Sequence, residues 1–284
     1  MPPRKGSSRI PKDRAGPFLK WAGGKSALSE KVVSLARAHP FNRYFEPFVG
    51  GGAVFFALAP GESHLSDSNP ELVNVYNQVR SHVTQVMEGL ARHKLSHSKR
   101  YYYATRANPP EDPVARAAWF LYLNRTCYNG LWRVNSKGGF NVPMGSYKNP
   151  RILDRERLIA ASRALRHAKI VCADFEVALT RSNPRPKLGD IVYLDPPYVP
   201  ISATSQFTAY TKEDFTEEDQ RRLARVVHAL VDRGVRVILS NSDTPLARGL
   251  FSDRDFTTEI VHMSRAISSV GTGRGKIPEL LIYN

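Results

Sequence analysis

Ile191-Val192-Tyr193-Leu194 is a continuous apolar run that stops at an acid, Asp195, followed by two prolines. A strand that is apolar at every position has both faces buried, and such strands belong to parallel sheets covered by helices on either side. This one segment directs the chain toward a layered α/β architecture, and the remaining sequence supplies the alternation it needs. Leu28, Val32 and Leu35 fall at helical spacing within residues 27–38. Tyr44-Phe45-Glu46 leads through Gly50-Gly51-Gly52 into Ala53-Val54-Phe55-Phe56-Ala57-Leu58, which reads as strand, glycine turn and helix. His64-Leu65-Ser66-Asp67 predicts a short second strand ending on an acid. Further on, a helix over 154–167 precedes a strand at Ile170-Val171-Cys172. Thr216 to Asp219 opens a helix in near capping-box fashion and Gly234 closes it. Val235 to Leu239 and Leu280-Leu281-Ile282-Tyr283 predict two last strands. No internal repeat is visible, and the pattern is that of a doubly wound sheet.

The alternation is interrupted between about residues 70 and 150. A long helical stretch over 70–94 merges into a polar, basic region containing Arg92, Lys94, Lys99, Arg100 and Arg106. Residues 114–126, with Ala117, Trp119, Phe120 and Leu121, predict a buried helix. From Tyr128 to Tyr147, glycine and asparagine turns between aromatic residues predict a β-hairpin or loop region. The expected organisation is therefore a core domain from 17–69 and 150–284 with an insert at 70–149. Residues 1–16 hold Arg4, Lys5, Arg9, Lys12 and Arg14 against the single acid Asp13, and read as a disordered basic arm. Such an arm is either a contact for phosphates of a polyanionic partner or a solubilising tail.

With 284 residues, 42% of them hydrophobic, the chain can build a core without disulfides or a structural metal. Cys127 and Cys172 form neither a metal-like spacing nor a disulfide framework, which fits a reducing cytoplasm. No run of about 18 apolar residues and no signal-peptide core is present, so neither membrane insertion nor secretion is expected. The 41 Lys and Arg against 26 Asp and Glu leave a formal net charge of +15. That excess favours a polyanionic partner, because each cation set on a phosphate releases condensed counterions.

The first strand, its glycine turn and the acid after the second strand form a nucleotide-binding pattern. The turn lets the backbone approach a ligand closely, and the following helix presents free N–H groups. Asp67 lies 17 residues after Gly50, near the spacing at which a strand-end acid meets ribose hydroxyls. Phe48-Val49-Gly50-Gly51-Gly52 is not G-x-G-x-x-G, so an adenosine ligand other than NAD is expected; a turn needed only for chain reversal is the alternative. Lys20-Trp21-Ala22-Gly23-Gly24-Lys25-Ser26 resembles the end of a phosphate-binding loop, but its required first glycine is Leu19 and no buried strand precedes it. Lys25 is better suited to meet a carboxylate, and Trp21 to pack against a flat or cationic group.

Asp195-Pro196-Pro197-Tyr198 carries the chemistry. A planar exocyclic amine, such as that of adenine, is a poor nucleophile because its lone pair is delocalised into the ring. A carboxylate and a fixed carbonyl can hold both N–H bonds and let the nitrogen pyramidalise toward an electrophile. Asp195 supplies the first and Pro196 the second, while two prolines stiffen the loop. Tyr198 offers a π-face to an extruded base. The gain is orientation plus preorganised acceptors for a developing ammonium. No metal is required. His93 and His97, four apart, lack a third ligand and read as surface histidines. Tyr101-Tyr102-Tyr103 suits a core or interface role better than base stacking.

From Phe18 onward, the order Lys-Trp-Ala-Gly-Gly-Lys, glycine loop, insert, Asp-Pro-Pro-Tyr resembles the DNA adenine methyltransferases of the Dam type. The resemblance implies a Rossmann-like class I methyltransferase sheet with an inserted helical and β-hairpin DNA-recognition domain. It further implies an S-adenosylmethionine-dependent, adenine-specific enzyme acting on double-stranded DNA by base flipping, without a metal, as a monomer in the cytoplasm at the nucleoid. Trp21, Ala22, Gly23, Lys25, Phe48, Gly50, Asp67 and Asp195 would contact or flank the cofactor, with Asp174-Phe175 beside its adenine. Tyr128 would intercalate as the target adenine leaves the stack, and Asn129 would face the orphaned partner base. Leu131 and Arg133 would read flanking bases, Asn141, Pro143, Tyr147 and Lys148 would continue the DNA contacts, and Lys20 would read a base on the other side. These positions resemble readers of GATC. Arg133's fork suits guanine O6 and N7, a phosphate contact being the other reading. The resemblance departs at Thr126, Trp132 and Ser146. Residues 202–210 would form a lid over the flipped base.

The loop alone specifies only a planar amine, so an RNA or protein-glutamine methyltransferase competes, as does a DNA-binding module that has lost catalysis. The separation of 128 positions from Asp67 to Asp195, much of it resembling a DNA reader, favours DNA. An intact cofactor pattern opposes the loss of catalysis.

Overall fold

The computed structural model describes residues 15–21, 26–197, 215–252, 254–264 and 276–284. Seven strands form one sheet in the order β3-β2-β1-β4-β5-β7-β6. β1 (Tyr44–Glu46), β2 (Ser63–Asp67), β3 (Ala168–Cys172), β4 (Ile191–Leu194) and β5 (Arg236–Ser242) run parallel, whereas β7 (Lys276–Tyr283) enters antiparallel between β5 and β6 (Thr257–Ser264). The continuous apolar run of β4 is fully buried at all four positions, as its place at the centre of a covered sheet demands. The chain winds outward from β1 through β2 to β3, and from β4 through β5 in the other direction. The switch point, where such folds bind ligands, is thus between β1 and β4 at their carboxyl ends. At the opposite ends, Arg43 grips the buried Asp190 through Nε (3.1 Å) and Nη2 (2.6 Å), which ties the starts of β1 and β4 together.

Helices α1 (Ser26–Arg37), α2 (Ala53–Leu58), α7 (Arg155–Leu165), α8 (Phe175–Thr180), α9 (Glu217–Val231) and α10 (Pro245–Leu250) accompany the sheet. α9 opens with a full capping box: Thr216 Oγ accepts from Asp219 N (3.2 Å) and Asp219 Oδ2 accepts from Thr216 N (2.9 Å). The predicted 70–94 helix is two helices, α3 (Pro70–Ser81) and α4 (Val83–Ser96), broken where His82 leaves helical geometry at φ −133°. Asn69 caps α3 by accepting from Glu71 N and Leu72 N. The basic region after α4 contains a further helix, α5 (Lys99–Ala107), which buries Tyr102, whose hydroxyl donates to Val142 O. The tyrosine run therefore supplies core packing. α6 (Pro113–Thr126) is buried without interruption from Ala117 to Asn124 and packs on α3 and α4.

His93 and His97, read as surface residues, are half-buried and engaged by tyrosines. His93 stacks on the buried Tyr122 (4.7 Å) and pairs with the Tyr101 hydroxyl, and His97 meets the Tyr122 hydroxyl at 3.0 Å. Burial lowers the His93 pKa to about 4, which leaves the ring neutral. Among the described residues, no helix is long and apolar enough to cross a membrane, and no group of three His, Cys, Asp or Glu is placed to hold a metal ion.

Candidate active site

The turn after β1 and the end of β2 form one unit. Gly50 sits at φ +46°, in the left-handed region, and a Cβ there would lie 2.9 Å from Trp21 Cδ1. Gly50 N donates to Asp67 Oδ2 (3.1 Å), Asn69 N donates to Asp67 Oδ1 (3.0 Å), and the buried Tyr76 hydroxyl donates to Gly50 O (3.0 Å). Burial pushes the Asp67 carboxyl up to about 6 against the opposing pull of the Asn69, Gly50 and Ser68 N–H groups. Trp21 lies over this turn and stacks on Phe120 of α6 at 6.4 Å.

An aromatic wall stands beside it. Phe48 stacks on Phe175 (5.3 Å, 30°), and both meet Phe215. Asp174 caps α8 by accepting from Glu176 N (2.9 Å), and Arg222 of α9 forks onto its two oxygens at 2.9 and 3.2 Å. The same guanidinium lies 4.4 Å from the Phe175 ring. Asp174 thus holds Phe175 and Arg222 in place.

Asp195 follows β4, half-buried, with Pro196 buried and Pro197 exposed. Its Oδ1 accepts from Ser240 Oγ of β5 at 3.2 Å. On the neighbouring strand β1, Glu46 is buried and accepts from the Tyr44 hydroxyl at 2.8 Å. Burial pushes Glu46 up to about 8; the Tyr44 hydrogen bond opposes this, and the charge of Asp195 adds to it. Two acids at adjacent strand ends thus differ in role, since Glu46 keeps its proton near neutral pH.

The segment from Tyr128 to Lys148 forms a compact irregular hairpin, closed by antiparallel bridges Val134–Phe140 and Cys127–Met144. Its aromatic floor is Trp119, Phe120, Trp132 and Phe140. Its outward residues are Tyr128, Asn129, Arg133, Pro143, Tyr147 and Lys148, all exposed, and Asn129 holds φ +52°. Arg133 Nε donates to Asn141 Oδ1 at 2.7 Å. The amino-terminal segment joins this surface through buried Asn124: its Oδ1 accepts from Lys20 N (2.8 Å), and its Nδ2 donates to Lys20 O (2.7 Å) and Gly130 O (3.1 Å). Gly130, at φ +66°, lies so close that a Cβ would come within 2.4 Å of Lys20 Cβ. Lys20 Nζ sits 4.0 Å from the Tyr147 ring centroid.

Residues 21–267 match the family described as D12 class N6 adenine-specific DNA methyltransferase. The chain belongs to this family. It is 42% identical over 276 residues to a type II methyltransferase, M1.LlaDCHI, of Lactococcus lactis subsp. cremoris, covering 94% of this chain and 95% of that protein. It is 40% identical over 289 residues to the type II methyltransferase M.MjaIII of Methanocaldococcus jannaschii, covering 94% and 98%. It is 39% identical over 276 residues to the DNA adenine methylase of Escherichia coli, covering 95% of each. The family membership selects a DNA adenine methyltransferase over the RNA and protein-glutamine alternatives.

In this methyltransferase, Trp21, Gly50 and Asp67 come together at the glycine turn, Phe48 and Phe175 form the adjacent wall, and Asp195 stands at the end of β4 in the same sheet edge. Ala22, Gly23, Lys25 and Tyr198, the 202–210 segment and most of the basic arm lie outside the described residues. Leu131 and Asn141 are half-buried, whereas Tyr128, Asn129, Arg133, Pro143, Tyr147 and Lys148 are exposed. Glu46, Ser240, Tyr193, Arg222 and Asn124 had no role assigned from sequence. For Glu46 a signal existed: it is a polar residue closing an otherwise buried strand.

Proposed function

We propose that the enzyme moves a methyl group from S-adenosylmethionine to N6 of adenine in double-stranded DNA, within GATC, after rotating the adenine out of the duplex. The observation that carries this reading is the Asp195-Pro196-Pro197 loop at the carboxyl end of β4, one strand from the Gly50 turn and its Asp67 partner. The close approach at Gly50 is a cradle that any side chain would fill, which suits a ligand laid on backbone. Asp67 would meet ribose hydroxyls, and Phe48 and Phe175 the adenine. Ala22, Gly23 and Lys25, with Trp21, would complete the cofactor site. When bound, S-adenosylmethionine supplies an electrophilic methyl group.

The chain's residues supply the acceptor side. The Asp195 carboxylate and Pro196 carbonyl take the two amine N–H bonds and turn the nitrogen lone pair out of conjugation. The methylated nitrogen is acidic and surrenders its proton without a strong base. Tyr198 stacks on the extruded ring.

Residues 70–149 serve as the recognition unit, joined by Lys20. The exposed Tyr128 fills the vacated stack and Asn129 faces the orphaned base. Leu131 and Arg133 read flanking bases, with Asn141, Pro143, Tyr147 and Lys148 continuing along the duplex. The Asn141 contact at Nε supports guanine readout, because it fixes the guanidinium plane while using one of five donors. The enzyme works as a monomer on DNA in the cytoplasm and needs no metal.

Methyl transfer onto GATC duplexes is compared with transfer onto duplexes carrying one altered base pair. Strong preference for GATC is expected, and equal transfer to all refutes the target. Arg133→Ala should erode discrimination at one position by about 1–3 kcal/mol. A uniform loss on every sequence would instead make Arg133 a phosphate contact.

A further inference from the structure

We propose that Ser240 is the positioning residue of the catalytic carboxylate: its buried hydroxyl, held from behind by Tyr193, donates to Asp195 Oδ1 and sets the direction in which Asp195 meets the substrate amine. The inference rests on the role given to Asp195 above.

Strand register brings the two together. β4 and β5 pair in parallel with Leu194 opposite Leu239, so Ser240 arrives level with Asp195 although 45 residues separate them. Ser240 Oγ lies 3.2 Å from Asp195 Oδ1, 3.4 Å from Leu194 O and 2.9 Å from the Tyr193 hydroxyl. The single Ser240 hydrogen lies between two acceptors, of which Asp195 Oδ1 is the nearer and the charged one. An ionised carboxylate and a main-chain carbonyl accept and do not donate, so the Ser240 hydrogen goes to them. Tyr193 must then donate to Ser240 Oγ. Burial first, and the nearby Asp195 charge second, raise the Tyr193 phenol far above its ordinary range, so it keeps the proton this role needs. The result is a directed chain, Tyr193 to Ser240 to Asp195, in which each donor polarises the next.

Among the described residues the hydroxyl is committed to this network. Ser240 and Asn241 are 0% and 1% exposed at the end of a central strand, where an unpaired polar group is costly. Asn241 is committed elsewhere: its Nδ2 donates to Gln220 Oε1 (2.9 Å) and its Oδ1 accepts from Ser242 N (2.9 Å). Ser240 bridges β5 to the carboxylate. A rigid sheet strand therefore aims an acid that sits at the root of a loop.

The test uses the full-length enzyme with Ser240→Ala, Ser240→Thr, Tyr193→Phe and Asp195→Ala. Single-turnover methyl transfer should fall about 10- to 100-fold in Ser240→Ala, the effect of losing one hydrogen bond to a charged group that orients the reaction. Tyr193→Phe should lose less, and Ser240→Thr, which keeps a hydroxyl, should recover most of the rate. Cofactor affinity by calorimetry and DNA affinity by anisotropy should stay within about twofold of wild type, because Ser240 acts on orientation and not on binding. Wild-type turnover in Ser240→Ala, or affinity losses that match the rate loss, would overturn the proposal. Asp195→Ala separates the two ideas. If it stays active, the role of Asp195 itself fails; if it is dead while Ser240→Ala is unimpaired, only the positioning role fails.

Discussion

Glu46 makes the folded protein's stability depend on pH in a calculable way. Its carboxyl is buried at the end of β1 and pushed up to about 8, against an ordinary value of 4.5, chiefly by desolvation. Between those two values the folded chain holds a proton that the unfolded chain has released. The contribution of Glu46 to stability is therefore greatest below pH 4.5, falls by about 1.4 kcal/mol per pH unit, and vanishes above pH 8. Glu46→Gln keeps the shape and an oxygen for the Tyr44 hydroxyl but removes the ionisation. Urea unfolding of the two proteins at pH 5 and pH 8 should show the variant gaining on wild type by about 4 kcal/mol across that interval. Asp67, which is also pushed up by burial, contributes equally to both proteins and cancels in the difference. Parallel stability curves would show that Glu46 is ionised in the folded state, and the desolvation argument would then be wrong.

Asp67, pushed up to about 6, is ionised above that pH and protonated below it, so if it accepts from ribose hydroxyls the cofactor should bind more weakly as pH falls from 7.5 to 5; calorimetric titration showing a flat profile would count against that contact. Gly50→Ala should leave the protein folded but largely unable to bind cofactor, because a methyl group at φ +46° would press on the Trp21 ring; equilibrium dialysis with S-adenosylmethionine measures it. Asn124→Ala should cost about 1–3 kcal/mol of stability by stranding the Lys20 and Gly130 main-chain groups, and should weaken DNA binding as the Lys20 segment detaches; chemical denaturation and anisotropy read the two effects. Asn141→Ala should lower sequence discrimination less than Arg133→Ala does, since it loosens the guanidinium without removing it; ratios of kcat/KM on matched and altered duplexes decide this.

The acids that end strands were legible from sequence for a physical reason. Asp195 interrupts an apolar run at the point where a buried strand must emerge, Asp67 ends the short strand that follows the glycine turn, and Gly50 marks the turn that only a residue without Cβ can make next to Trp21. Helix caps were legible where the capping side chain and its partner lie within one turn, as at Thr216 and Asp219. The break at His82 was not, because no proline or glycine marks it. The edge strand β6 was missed because its run Thr257-Thr258-Glu259-Ile260-Val261-His262 lacks the apolar periodicity of a buried strand. His93 was misjudged because its burial depends on Tyr122, 29 residues later on another helix. The same limit separates the two layers of the candidate site. Asp195 declares itself through its own neighbours in sequence, whereas Ser240 acquires meaning only when parallel pairing sets Leu239 opposite Leu194. Groups that touch a ligand tend to sit where elements end, and local pattern reveals ends. Groups that aim them sit inside elements, where only register across the sheet decides what they face.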